Sequence, residues 1–115
     1  AGLMTITAYD AGYVAVNGRK LTRSFLLTPR SLNEDWPATS IDALNPESIA
    51  AIAALDSPIV LLGTGARQRF PSAALLRPLI ERRVGVEIMD THAACRTYNI
   101  LMAEGRDVAA ALIIE

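Results

Sequence analysis

The stretch "IVLLGTGARQRFPSAALLRPLIERRVGVEIMD", residues 59–90, sets an apolar run, a glycine turn, an amphipathic segment and a second apolar run in direct succession. Ile59 to Leu62 is short, β-branched and without polar alternation, the pattern of a strand buried on both faces. Ser72 to Arg83 carries Leu75, Leu76, Leu79 and Ile80 at the spacing of one helical face. Pro78 lies inside that segment, where it removes one backbone donor and crowds residue 74, which predicts a bend. Val84 to Met89 predicts a second buried strand. Strand, helix and strand in so short a span predict parallel pairing across a right-handed crossover.

Outward in both directions the pattern continues. Thr91 to Ala103 predicts a helix closed by Gly105 in the left-handed conformation, and Val108 to Ile114 a final strand. On the amino side, Glu47 to Leu55 suits a short helix that follows Pro46 and has an acid near its positive end. Pro29 to Pro46 reads as loop with a short strand near Thr39 to Ile41, and its Trp36 suits a lid over the core or, alternatively, an interface anchor. Alternation around Ile6, Tyr13 to Val16 and Phe25 to Leu27 predicts strands. Asn17-Gly18 between two of them is a hairpin signal, because a type I′ turn needs positive φ at both central residues. This hairpin is expected to extend the main sheet antiparallel. The expected fold is thus α/β, a three-layer domain over residues 1–115 with a mixed central sheet of about five strands and an N-terminal β-hairpin.

Composition narrows the function. In 115 residues, 51% are hydrophobic and 20% charged, which describes a globular chain with a core to bury and excludes a solvating disordered tail. A net charge of −1 with no basic run gives no general attraction to nucleic acid or anionic lipid. Cations are arginines apart from Lys20, a bias that base composition explains. One cysteine, Cys95, precludes an internal disulfide, and one histidine, His92, cannot supply a usual metal-ligand set, so neither metal nor cofactor is expected. The apolar runs "IAAIAAL" and "IVLLG" fall short of the roughly 20 residues a spanning helix needs. "AGLMTITAYD" has neither a secretory nor a mitochondrial targeting layout, so the expectation is a bacterial cytoplasmic protein, mitochondrial only if an import sequence precedes this chain.

Two clusters carry candidate chemistry. Gly63, Thr64, Gly65, Arg67, Arg69 and Phe70 follow the first central strand, and Asp90, Thr91, His92 and Arg96 follow the second. With those strands parallel and adjacent, both clusters reach the crevice where open α/β sheets bind ligands. Three arginines meeting there would favour a small anion, although Asp90 opposes it and also suits a helix cap. The glycine run departs from a dinucleotide fingerprint: Gln68 fills the third glycine slot and Pro71 delays the helix. His92 and Cys95, three residues apart, share a helix face, so a reactive thiol is conceivable; packing of a small cysteine among alanines is the commoner arrangement. At 100° per residue the apolar positions of this helix cover more than half its circumference, leaving His92, Arg96, Asn99 and Ala103 as a stripe, with Cys95 at the apolar margin.

Three segments in order, "LLTP" (Leu26–Pro29), "LLGTGARQRFP" (Leu61–Pro71) and "VGVEIMDTHAACRTYNILMAEGRDVAAALI" (Val84–Ile113), closely resemble a family of small domains of unassigned function in bacteria and archaea. Its mitochondrial relatives are assembly factors for respiratory complex I. The resemblance implies a three-layer α/β fold with a mixed sheet, brings no catalytic residues with it, and points to a non-enzymatic accessory domain with a protein partner. The alternative is an enzyme or sensor that takes a small anion in the strand-end crevice.

Overall fold

The computed structural model describes residues 2–115. Along the chain it runs β1 (Ile6–Asp10), β2 (Tyr13–Val16), β3 (Arg19–Leu21), β4 (Phe25–Thr28), β5 (Ser31–Asn33), a 3-10 turn (Ile41–Ala43), α1 (Pro46–Ala53), β6 (Ile59–Gly63), α2 (Ala73–Glu81), β7 (Gly85–Met89), α3 (Thr91–Ala103) and β8 (Val108–Leu112). The main sheet has five strands in the order β5-β4-β8-β6-β7. β6 is parallel to both β7 and β8, whereas β4 is antiparallel to β8 and β5 to β4, so the sheet is mixed.

Its two faces build two cores. Phe25, Leu27, Leu61, Ala110 and Leu112 point to one side, where Ala94, Cys95, Tyr98 and Met102 of α3 and the inner residues of β1–β3 cover them. Their sequence neighbours Leu26, Val60, Leu62, Ala109 and Ala111 point to the other, against Ile49 and Ile52 of α1, Leu76 and Leu79 of α2, and Trp36. A strand buried on both faces must be apolar at every position. β8 meets that condition with three consecutive alanines, whose small side chains let both helical layers approach.

Local signals account for the element ends. Asn17 and Gly18 have φ of 49° and 83°, and they join β2 to β3 as the expected tight turn. Asn45 caps α1 in a reciprocal pair with Ser48, with Pro46 in the first turn, so α1 starts one residue before the expected Glu47 and stops at Ala53. α3 spans the expected residues. Its end is closed by Gly105 at φ 81°, with Gly105 and Arg106 donating to the carbonyls of Met102 and Leu101.

Three expectations are corrected, and one pair of alternatives is decided. The N-terminal hairpin does not extend the main sheet: β1-β2-β3 form a separate three-stranded sheet, and β4-β5 provide the antiparallel extension. The reason lies in the patterning. β4 is buried along its apolar length and suits a sheet interior, while Thr7, Ala8, Arg19 and Lys20 are exposed and give β1–β3 a wet face. No strand forms at Thr39–Ile41, where the chain makes the 3-10 turn; the short strand is Ser31–Asn33, paired to β4 across a turn that opens at Pro29. β7 is an edge strand and only half-buried, as Glu87 in its middle allows. Trp36 is buried and donates its indole N–H to the Ser48 carbonyl at 3.1 Å, which makes it a lid over the core and removes it as an interface anchor.

Candidate functional site

The parallel strands β6, β7 and β8 end at one side of the sheet, and the loop after β6 is held there by the start of α3. A side chain on Gly63 would lie 3.0 Å from the Thr91 Cα and 3.0 Å from Leu112, so only glycine lets α3 start this close to the strand. Thr91 is the pin. Its hydroxyl donates to the Ile113 carbonyl at 2.6 Å and accepts the Gly65 N–H at 2.8 Å, while its own N–H donates to the Gly65 carbonyl at 2.9 Å. Thr64 secures the rest of the loop: its N–H donates to Met89, and its hydroxyl meets the Arg67 carbonyl at 2.6 Å and accepts the Arg69 N–H at 3.1 Å.

A cavity of about 320 Å³ opens over these strand ends. Gly65, Ala66, Thr91, His92 and Glu115 line it, with the β1–β2 turn, Asp10 to Tyr13, as the opposite wall. The Glu115 carboxylate accepts the Ala66 N–H at 3.2 Å and occupies the space a side chain on Gly65 would take, while the φ of +100° at Gly65 is itself a conformation that favours glycine.

The structure therefore brings Gly65, Thr91 and His92 into one crevice with Gly63 and Thr64 beneath them, but it does not gather the arginines. Arg69 reaches away to Asp42, with two contacts of 2.9 Å that raise its pKa through the hydrogen bond and the adjacent charge. Arg96 donates to the Tyr9 hydroxyl at 3.1 Å. Arg67 and Phe70 are exposed at the loop tip, Phe70 to 69%. Asp90 caps α3 by accepting the Ala93 N–H at 2.9 Å, as the sequence suggests. Gln68 turns to the outer edge of β7 and donates to the Ile88 carbonyl at 2.9 Å.

His92 and Cys95 are separated by their surroundings. The imidazole Nε2 lies 3.1 Å from the Asp10 carbonyl, and the ring packs at 4.7 Å between centroids on Tyr9. Cys95 is 0% exposed, in the middle of the core cluster and not at its margin. Burial pushes its thiol up to about 12, and the Arg96 charge offsets only part of that. A nucleophile needs the reverse.

Asn99 does work that spacing does not reveal. Its side-chain carbonyl accepts the Ile6 N–H at 3.0 Å and its amide donates to the Ile6 carbonyl at 2.7 Å, so it acts as a one-residue strand partner for β1. Tyr98 adds a hydrogen bond of 2.7 Å to the Met4 carbonyl. The stripe of α3 left polar in the sequence is thus the seam that docks the small sheet.

Comparison with known proteins agrees with this architecture. NADH dehydrogenase [ubiquinone] 1 alpha subcomplex assembly factor 3 of Bos taurus is 35% identical over 112 residues, 96% of this chain and 60% of that protein. The chain thus spans about 60% of the length of that relative. A crystal structure of a Bordetella parapertussis protein superposes with a TM-score of 0.93 at 40% identity, covering 100% of this chain and 98% of that one. A Bordetella pertussis solution structure described as an Mth938-like domain gives a TM-score of 0.86 at 33% identity, covering 98% and 87%. The model of the family described as protein of unknown function (DUF498/DUF598) matches residues 6–113, and to that family the chain belongs.

Proposed function

We propose that the domain is a non-enzymatic assembly module, cytoplasmic in a bacterium, that binds a protein partner through the Arg67–Phe70 loop. One observation carries this reading: the groups suggestive of chemistry are consumed in structure, while a phenylalanine exposed to 69% stands at the loop tip beside exposed Arg67. Asp90 caps, Thr91 pins and Cys95 packs. Arginine and aromatic side chains are favoured interface anchors, and a loop secured by Thr64 presents them at low ordering cost. Relatives named as assembly factors for NADH dehydrogenase support the same class of role.

The test is cross-linking and affinity purification from native cells, with NADH dehydrogenase subunits scored among the products. Arg67→Ala with Phe70→Ala should fold like the parent, because both side chains are exposed, and should lose the partner. An unchanged partner set with the folded double variant refutes the loop assignment. No reproducible partner counts against the module itself.

A second reading, a small-anion site in the strand-end crevice, has one observation in its favour. The Glu115 carboxylate rests on the Ala66 N–H, which supports a reading of this loop as a place for an oxyanion.

A further inference from the structure

β7 is one of the two edges of the main sheet, and its outer side carries a definite hydrogen-bonding pattern. Gly85 donates inward to the Pro58 carbonyl and the Met89 carbonyl accepts inward from Thr64, so residues 85, 87 and 89 direct their backbone groups toward β6. Strand alternation then turns those of Val84, Val86 and Ile88 outward. Two of these six outward groups are already used. The Val84 N–H closes α2 on the Leu79 carbonyl, and the Ile88 carbonyl accepts from Gln68. The carbonyls of Val84 and Val86 and the N–H groups of Val86 and Ile88 face outward with no described strand beside them.

We propose that this edge pairs with the β7 edge of a second copy of the chain, antiparallel about a two-fold axis at Val86, with Glu87 of each copy seated opposite Gly85 and beside Arg106 of the other. Centred on Val86, the two Val86 residues exchange N–H and carbonyl bonds, and each Ile88 N–H meets the Val84 carbonyl across the axis. The remaining groups in that register are the Val84 N–H and the Ile88 carbonyl. These would face each other, and they are the two the fold has already satisfied. Centring on Ile88 instead sets its N–H against a carbonyl held by Gln68. Centring on Glu87 makes the same error at Val86 and also places two carboxylates face to face.

Side chains agree with the register on both faces. Toward α2, Val86 meets Val86, and Val84 meets Ile88, all half-buried in the single chain. Toward α3, a shallow groove of about 370 Å³ is lined by Ile59, Leu61, Gly85, Glu87, Leu101 and Arg106. A Cβ on Gly85 would have only the Pro58 carbonyl within reach, at 3.6 Å, so the place opposite Glu87 of the second copy is open. Neither Glu87 nor Arg106 has an ion-pair partner among the described residues. Two such pairs form by symmetry. Isologous closure hides the β7 edge of each copy, so association through this edge stops at two copies.

Sedimentation equilibrium across low-micromolar to near-millimolar chain is the direct measurement. The parent should titrate between monomer and dimer. Glu87→Arg and Arg106→Glu, both exposed and outside the core, should each weaken the dimer by about tenfold or more by setting like charges together. The two combined should restore it. A parent that stays monomeric throughout overturns the proposal, as does a dimer indifferent to both single substitutions. Failure of the charge swap to restore association with both singles folded overturns the Val86 register.

Discussion

Thr91 donates its hydroxyl to the Ile113 carbonyl at 2.6 Å, which ties the first residue of α3 to the chain just beyond β8. The same oxygen accepts the Gly65 N–H, so one buried hydroxyl joins the ends of β6 and β8 to α3. Thr91→Val keeps the volume and removes both bonds. A buried donor or acceptor left unpaired costs about 1–3 kcal/mol, so chemical denaturation should show a loss in that range for each group. Thr91→Ser should retain most of the stability. A valine variant as stable as the parent would contradict the role given to the hydroxyl.

Cys95 should behave as a core residue. Native-state alkylation by iodoacetamide near neutral pH should be slow, limited by opening of the fold, and rapid labelling would reinstate a reactive thiol. Alkali gives an independent measure. The folded thiol is pushed up from 9.0 to about 12, and burial also raises the Tyr98 phenol. The unfolded chain therefore releases these protons at lower pH than the folded one. Their stabilising effect is complete below about pH 9 and declines as pH rises toward 12. Cys95→Ala should flatten the slope of stability against pH between about 9 and 10.5; an unchanged slope would contradict the burial argument.

Asn99 holds β1 to α3 and Tyr98 holds the segment just before it at Met4, so substitutions there should loosen the small sheet before the main one. Tyr98→Phe removes a single hydrogen bond and should cost about 1 kcal/mol. Asn99→Leu strands both backbone groups of Ile6 and should cost more. Hydrogen exchange at Ile6 and along β1–β3 should accelerate in both variants, with β6 and β8 protected as in the parent. Uniform acceleration over the whole chain would show that the two sheets open as one unit.

The difference between what was legible in the sequence and what was not follows the range of the interactions. Asn17-Gly18, Pro46 at the start of α1 and Gly105 act within a few residues, and each marks its element correctly. The continuous apolar runs of β4, β6 and β8 identify buried strands but carry no strand order. The stretch Val84–Met89 reads as interior because two valines, an isoleucine and a methionine surround one Glu87, yet the place of β7 at the edge depends on α3 crossing back over β6. The same limit governs the site. Which loops meet at the strand ends follows from the parallel pairing, whereas the direction of each arginine does not. Asp42, which draws Arg69 away, lies 27 residues upstream in a loop without periodicity.

That geometry bears on the anion reading. Three guanidinium groups would make the crevice a strong oxyanion site only if they converged. Arg69 is held by Asp42, Arg96 donates to Tyr9, and the cavity is lined instead by Glu115 and the Gly65–Ala66 loop. Phosphate, acetate and nucleotides at millimolar concentration should therefore leave the melting temperature unchanged, since a ligand at about one hundred times its dissociation constant would add about 2.7 kcal/mol. Glu115→Gln provides the sharper form of the experiment, because it removes the resident carboxylate charge from Ala66 without shortening the chain. If that variant gains a phosphate-dependent rise in melting temperature, and Ala66→Pro in the same background abolishes it while keeping the fold, the loop is an oxyanion receptor that Glu115 fills. If neither the parent nor Glu115→Gln responds, the small-ligand reading fails, and the crevice serves only to join three strand ends to one helix.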